Sequence, residues 1–98
     1  MGRRRIEQRL RTTGSRLRSL RDELVVIDEQ LSHLADDATD SSLRAMVSDS
    51  TGDSYEARKA HEHADAMAAH RAHVVASIRE LEQRQDDLLD QLTALRPT

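Results

Sequence analysis

Apolar side chains recur along the first half of the chain at steps that alternate between four and three residues. The series is Ile6, Leu10, Thr13, Leu17, Leu20, Leu24, Ile27, Leu31, Leu34 and Ala38. This is a heptad pattern, in which every third or fourth side chain of an α-helix faces a partner helix. The pattern predicts a first helix over about residues 4–47.

A second series with the same alternation follows in the other half of the chain. Its members are Ala57, Ala60, Ala64, Met67, Arg71, Val74, Ile78, Leu81, Gln85, Leu88, Leu92 and Leu95. The series predicts a second helix over about residues 54–96. Arg71 and Gln85 are its only long polar members, so we expect two polar intrusions in the seam between the helices.

The segment between the two series is rich in Asp and Ser and contains Gly52. Glycine among small polar residues is typical of a turn, which we place over about residues 48–54 and centre on Gly52 and Asp53. Asp53 followed by Glu56 is a capping-box pattern for the second helix. In an alternative interpretation the first helix breaks near Asp40 and a short helix runs through Leu43.

Two heptad helices joined by a short turn predict an all-α fold, an antiparallel two-helix coiled-coil hairpin that forms one domain over residues 1–98. The composition agrees with a thin aliphatic core, because there is no Phe or Trp and Tyr55 is the only aromatic residue. Charges help to choose the register. Pairing seam residues whose numbers sum to 105, such as Leu17 with Leu88, brings the flanking Arg21 to Glu82, whereas a seam sum of 98 sets Arg16 against Arg84. We prefer the first register.

Several large apolar residues fall outside the predicted seam. Val25, Val26, Met46 and Val47 are the clearest in the first helix, on the side away from its partner. A second pair of helices would cover them, so we expect a homodimer in a four-helix arrangement. Another protein, not identified by the sequence, is the alternative partner for these residues.

Charge is divided unevenly along the chain. Residues 1–21 hold eight Arg and one acidic residue, Glu7, for a net charge of +7, and the remainder carries −10. Such asymmetry suggests contact with nucleic acid, for which Arg3, Arg4 and Arg5 are candidate phosphate contacts. We favour the other interpretation, compensation within the hairpin by acidic residues of the second helix, which are Glu80, Glu82, Asp86, Asp87 and Asp90.

Two other clusters of ionisable side chains are candidate sites, one of carboxylates and one of histidines. Carboxylates gather where we expect the tip of the hairpin, at Asp36, Asp37, Asp40, Asp49 and Asp53. Four histidines lie in the second helix at heptad positions that point in different directions, namely His61, His63, His70 and His73. We therefore expect no metal site, no cofactor and no enzyme active site.

No apolar run is long enough for a membrane span and there is no Cys, which fits a cytoplasmic protein.

Three segments carry a resemblance to known proteins. Residues 16–38, 63–75 and 86–92 resemble a family of small actinobacterial coiled-coil proteins without known function, which implies a coiled coil and no particular site. By shape the hairpin is also similar to the coiled-coil arm of RNA-polymerase secondary-channel factors of the Gre and DksA type. That likeness implies an alternative function, a regulator that binds RNA polymerase or the ribosome through its acidic tip or Arg-rich end.

Overall fold

A computed structural model describes residues 2–48 and 50–95, and these form two α-helices. Helix α1 spans Arg3–Val47 and helix α2 spans Thr51–Ala94. The predicted all-α helical hairpin is confirmed. Helix α1 runs without interruption through Asp40, so the alternative with a break at that position does not occur.

The seam of α1 continues beyond Ala38 through small residues. Ser41 is buried and Ala45 is half-buried, at the next two heptad positions. The hydroxyl of Ser41 accepts a hydrogen bond of 3.2 Å from Nη2 of Arg44, which satisfies a polar group at a buried position. The seam of α1 therefore continues through Ser41 to Ala45.

The turn lies earlier than the sequence predicts. Helix α2 begins at Thr51, so Gly52 and Asp53 belong to its first turn and the connection is residues 48–50. Gly52 has no left-handed φ angle, and the backbone N–H of Ser54 donates to the carbonyl of Ser50 at 3.3 Å. The expected turn at Gly52 and Asp53 is therefore displaced by about three residues, and Ser50 takes the N-cap position assigned to Asp53.

The helices divide into two compact units, each formed by one segment of α1 and one of α2. The first unit is Met1–Glu23 with Val74–Thr98, and the second is Leu24–His73. The described residues of the first unit bury aliphatic side chains from both helices. These are Ile6, Leu17, Leu20, Val74, Ile78 and Leu88, with Thr13 among them.

The second unit has a thinner core. Ile27, Ala38 and Ser41 of α1 are buried, whereas every described residue of α2 in this unit is half-buried or exposed. Alanines hold most of the α2 seam positions here, at Ala57, Ala60 and Ala64. Because alanine removes little apolar area from water, each layer of packed side chains contributes less to the stability of this unit than a layer does in the first unit.

The predicted seam positions are buried or half-buried throughout, with one correction. Leu95 is 44% exposed, because it follows Ala94, the last residue of α2, and lies beyond the helical register. The polar intrusions Arg71 and Gln85 are both half-buried. Arg71 places its aliphatic stem in the seam and its guanidinium at the surface, where Nε donates to Oδ1 of Asp28 at 2.6 Å.

Side-chain pairs between the helices define the register. In the first unit Nη2 of Arg21 lies 3.3 Å from Oε2 of Glu82, a pair that the preferred register predicts. In the second unit Oγ of Ser42 and Nε2 of His61 share a hydrogen bond of 2.7 Å. Both pairs have residue numbers that sum to 103, and the Asp28–Arg71 pair sums to 99. The first two pairs join positions that flank the seam, and such pairs sum to 103 when the seam layers sum to 105. Arg71 reaches Asp28 from a seam position one turn away. The helices are therefore antiparallel in the preferred register.

Candidate interaction surfaces

Exposed apolar side chains lie on the side of α1 that faces away from α2. We call this set the α1 outer face, and it consists of Val25, Val26, Leu43, Met46 and Val47. Val25 is 59% exposed, Met46 81% and Val47 89%. All five belong to the second unit and none occupies a seam position, so packing within the hairpin leaves them in water.

The α1 outer face contains two apolar patches separated by a polar stretch. Val25 and Met46 are three heptads apart, as are Val26 and Val47, so the patches share a side of the helix about 32 Å apart at 1.5 Å per residue. The outward residues between the patches are exposed and polar, and they are Glu29, Ser32, His33, Asp36, Thr39 and Asp40.

The acidic residues predicted at the tip do not form a uniformly negative surface. Asp36, Asp37 and Asp40 are exposed on α1, Asp53 is half-buried in the first turn of α2, and Asp49 lies outside the described residues. A cleft of about 360 Å³ brings Asp37 and Asp40 together with basic side chains of both helices. Its cationic members are Arg44 and Lys59, with His63 beside them.

Three of the four histidines of α2 lie in two different settings. His61 is hydrogen-bonded to Ser42 across the helices, as described above. His63 and His70 border an apolar cleft of about 380 Å³ whose floor includes Leu34 and Met67. Within residues 2–48 and 50–95, no group of three or more His, Cys, Asp or Glu side chains converges in a way that would hold a metal ion.

The Arg-rich segment at the start of α1 has few acidic partners. Arg3 pairs with Glu7 at 3.2 Å, and Arg21 pairs with Glu82 at 3.3 Å. The other six arginines of this segment form no ion pair with another described residue, and they are Arg4, Arg5, Arg9, Arg11, Arg16 and Arg18. Compensation within the hairpin is therefore limited among the residues described.

Three arginines of the first unit converge on one cleft. Arg5 and Arg9 of α1 and Arg84 of α2 line a space of about 490 Å³, together with Gln8, Thr12 and Thr13. The sequence indicated Arg5 through the basic run at residues 3–5. It did not indicate Arg84, because that residue joins the cleft only through the pairing of the two helices.

Comparison with known proteins gives no family for this chain: no family model matches it, and no curated protein and no solved structure is significantly similar to it. The resemblances drawn from the sequence therefore stay predictions. Across the described parts of α1 and α2, no stretch combines the length and apolar character that a bilayer span requires.

Proposed function

We propose that this protein is a non-catalytic, cytoplasmic interaction module that forms a homodimer through the α1 outer face and acts as a scaffold. The observation that carries the proposal is the exposure of Val25, Val26, Met46 and Val47 on a helix whose other outward residues are mostly polar. Isolated apolar residues are common on protein surfaces. Two adjacent pairs that repeat at the same heptad positions favour a partner helix.

The spacing of the two patches fits a second copy of the chain. A homodimer uses the same surface on both subunits, so each residue and its contact must exchange roles across a two-fold axis. If two α1 helices pack antiparallel with Asp36 on the axis, Val25 and Val26 of each copy face Val47 and Met46 of the other. One chain then supplies both halves of the contact, and both apolar patches leave water.

The polar middle of the α1 outer face limits the strength of this dimer. Near the axis, Asp36 meets Asp36 of the partner subunit, and the two carboxylates repel each other. The apolar area is small compared with that of obligate dimers, which bury far larger and more apolar surfaces. The proposed dimer therefore has micromolar affinity, and salt strengthens it because ions screen the repulsion at the axis.

Sedimentation velocity over a range of protein concentrations tests the proposal. The wild type should shift from monomer to dimer at tens of micromolar, and the variant Val25→Ser, Val26→Ser, Met46→Ser, Val47→Ser should stay monomeric. The matched control is Tyr55→Ser with Leu89→Ser, because both residues are exposed apolar side chains outside the α1 outer face. The control should dimerise like the wild type, and circular dichroism should show equal helicity in all three proteins.

A monomeric wild type at all concentrations overturns the homodimer and leaves the α1 outer face for an unrelated protein partner. Equal weakening in the control variant means that the contact lies elsewhere. The alternative function, a regulator that binds RNA polymerase or the ribosome through an acidic tip, has no comparable support, because Asp37 and Asp40 share their cleft with Arg44 and Lys59.

A further inference from the structure

The cleft formed by Arg5, Arg9 and Arg84 has the chemistry of an anion site. No acidic side chain is among its lining residues. Three arginines that line one space carry like charges that repel each other, and an anion between them relieves that repulsion. Arginine is well suited to phosphate, because its planar fork donates two hydrogen bonds to two phosphate oxygens.

The basic surface extends beyond this cleft along α1. Arg4, Arg11 and Arg18 occupy one heptad position and recur about every 10 Å along the helix. Arg11 and Arg16 line a neighbouring depression whose other members are hydroxyl residues. These are Thr12, Ser15 and Ser19. A row of arginines interleaved with hydroxyl groups fits a polymer of phosphates better than a single phosphate ion.

The surroundings of this surface indicate which phosphate polymer it suits. Lipid surfaces attract helices that combine basic with apolar faces. In the first unit, the described large apolar residues that are exposed are Leu89 and Leu95. Both come from the second half of the chain, so neither lies on the basic segment of α1. Single-stranded nucleic acid is commonly held by stacking on aromatic rings. Tyr55 is the only aromatic residue of the chain, and it belongs to the second unit.

We infer that the basic surface of α1, with Arg84 of α2, binds the phosphate backbone of double-stranded nucleic acid without reading its bases. The contact is electrostatic and uses Arg5, Arg9 and Arg84 as its centre. This inference is independent of the proposed homodimer, because the α1 outer face lies in the second unit and the basic cleft in the first. DNA and RNA duplexes offer the same phosphate chemistry, so the experiment compares the two.

Fluorescence anisotropy with a labelled duplex of arbitrary sequence, prepared once as DNA and once as RNA, tests the inference at increasing salt. The wild-type protein should bind at low salt and lose affinity steeply as salt rises, because phosphate contacts release counterions. The variant Arg5→Gln, Arg9→Gln, Arg84→Gln should bind about tenfold more weakly or worse. Its plot of log affinity against log salt should be shallower by about 2–3, the value expected for three lost contacts.

A charge-matched control separates this site from overall charge. The variant Arg44→Gln, Arg58→Gln, Arg79→Gln removes the same number of charges from residues outside the cleft and should change affinity by less than about twofold. Circular dichroism checks the helicity of both variants. If the cleft variant loses helicity, Arg11→Gln with Arg18→Gln replaces it, because both residues are exposed, and it should also weaken binding severalfold.

Several outcomes overturn the inference. Absence of duplex binding at low salt would do so, as would equal weakening in the cleft variant and the control. Tighter binding to vesicles of equal parts phosphatidylglycerol and phosphatidylcholine would assign the surface to a membrane. Tighter binding to polyglutamate would assign it to an acidic protein. Equal affinity for the DNA and RNA duplexes supports contact with the phosphate backbone alone. A preference for one of them indicates which kind of duplex the surface binds.

Discussion

Individual aliphatic residues of α1 differ greatly in exposure according to their heptad position. Leu17 is 1% exposed at a seam position, whereas Val25, about two turns later, is 59% exposed. Both side chains are similarly apolar, so composition alone does not distinguish them. The sequence predicted both outcomes correctly because the register of the heptads is unbroken from Ile6 to Ala38.

Leu17→Ala should therefore destabilise the hairpin far more than Val25→Ala. The first substitution leaves a cavity in a thin core and should lower the free energy of unfolding by about 2–3 kcal/mol. The second should change it by less than about 0.5 kcal/mol in the monomer. Urea denaturation at low protein concentration, where the monomer dominates, measures both values. Equal losses in the two variants would contradict the assigned seam.

Arg71 shows how a charged residue is accommodated in the seam. Its ion pair with Asp28 is short at 2.6 Å, but both side chains are nearly half exposed, so the pair contributes only about 0–1 kcal/mol. The sequence predicted Arg71 as a polar residue in the seam, but it did not predict which acidic residue pairs with it. Asp28 was not predicted, because the choice depends on where a long flexible side chain emerges from the seam.

Arg71→Leu should raise the free energy of unfolding by about 1 kcal/mol, because an apolar side chain replaces a weak surface pair at a seam position. Thermal unfolding followed by circular dichroism measures the change. Arg79→Leu is the matched control, since Arg79 is exposed outside the seam of α2. A lower midpoint for Arg71→Leu than for the wild type would show that the ion pair outweighs apolar packing here.

At the scale of the helices, the sequence predicted their number, type and seams, but it misplaced the turn. Two overlapping cap patterns lie three residues apart, Ser50 with Asp53 and Asp53 with Glu56. Local preferences satisfy either one equally well. In the structure α2 begins directly after Ser50, so it gains Thr51, Gly52 and Asp53, and Gly52 lies in a helix and not in a turn.

The position of the turn makes Gly52→Ala informative. A helical glycine replaced by alanine stabilises a protein by up to about 1 kcal/mol, whereas a glycine that needs a positive φ angle would lose stability. Among the described residues, the new Cβ would meet Oγ of Ser50 at 3.5 Å, which is an ordinary contact. Chemical denaturation should show stability that is unchanged or raised.

Gly14→Ala provides the reference value for the same substitution inside a helix. The added Cβ would lie 3.8 Å from Nη1 of Arg18, so there is room for it within α1. This variant should gain about 0.5–1 kcal/mol. If Gly52→Ala lost stability markedly while Gly14→Ala gained it, Gly52 would have to lie in a turn and not in α2.

At the scale of the whole molecule, the surfaces were only partly predictable. Val25, Val26, Met46 and Val47 follow from their heptad positions, and they are exposed as expected. The basic cleft needed the structure, because Arg84 is distant in sequence from Arg5 and its position depends on the register of α2 against α1. Charge counts predicted a basic segment and did not predict how few of its arginines pair with acidic residues within the described part of the chain.

Disulfide cross-linking tests the proposed dimer most directly, because the chain has no native cysteine. Asp36→Cys places one thiol at the proposed two-fold axis, and Gln83→Cys places one on α2 at an exposed position as the control. Under mild oxidation at tens of micromolar, Asp36→Cys should form a covalent dimer rapidly and Gln83→Cys should remain largely monomeric. Equal cross-linking in the two variants, or none at Asp36→Cys, would contradict dimerisation through the α1 outer face.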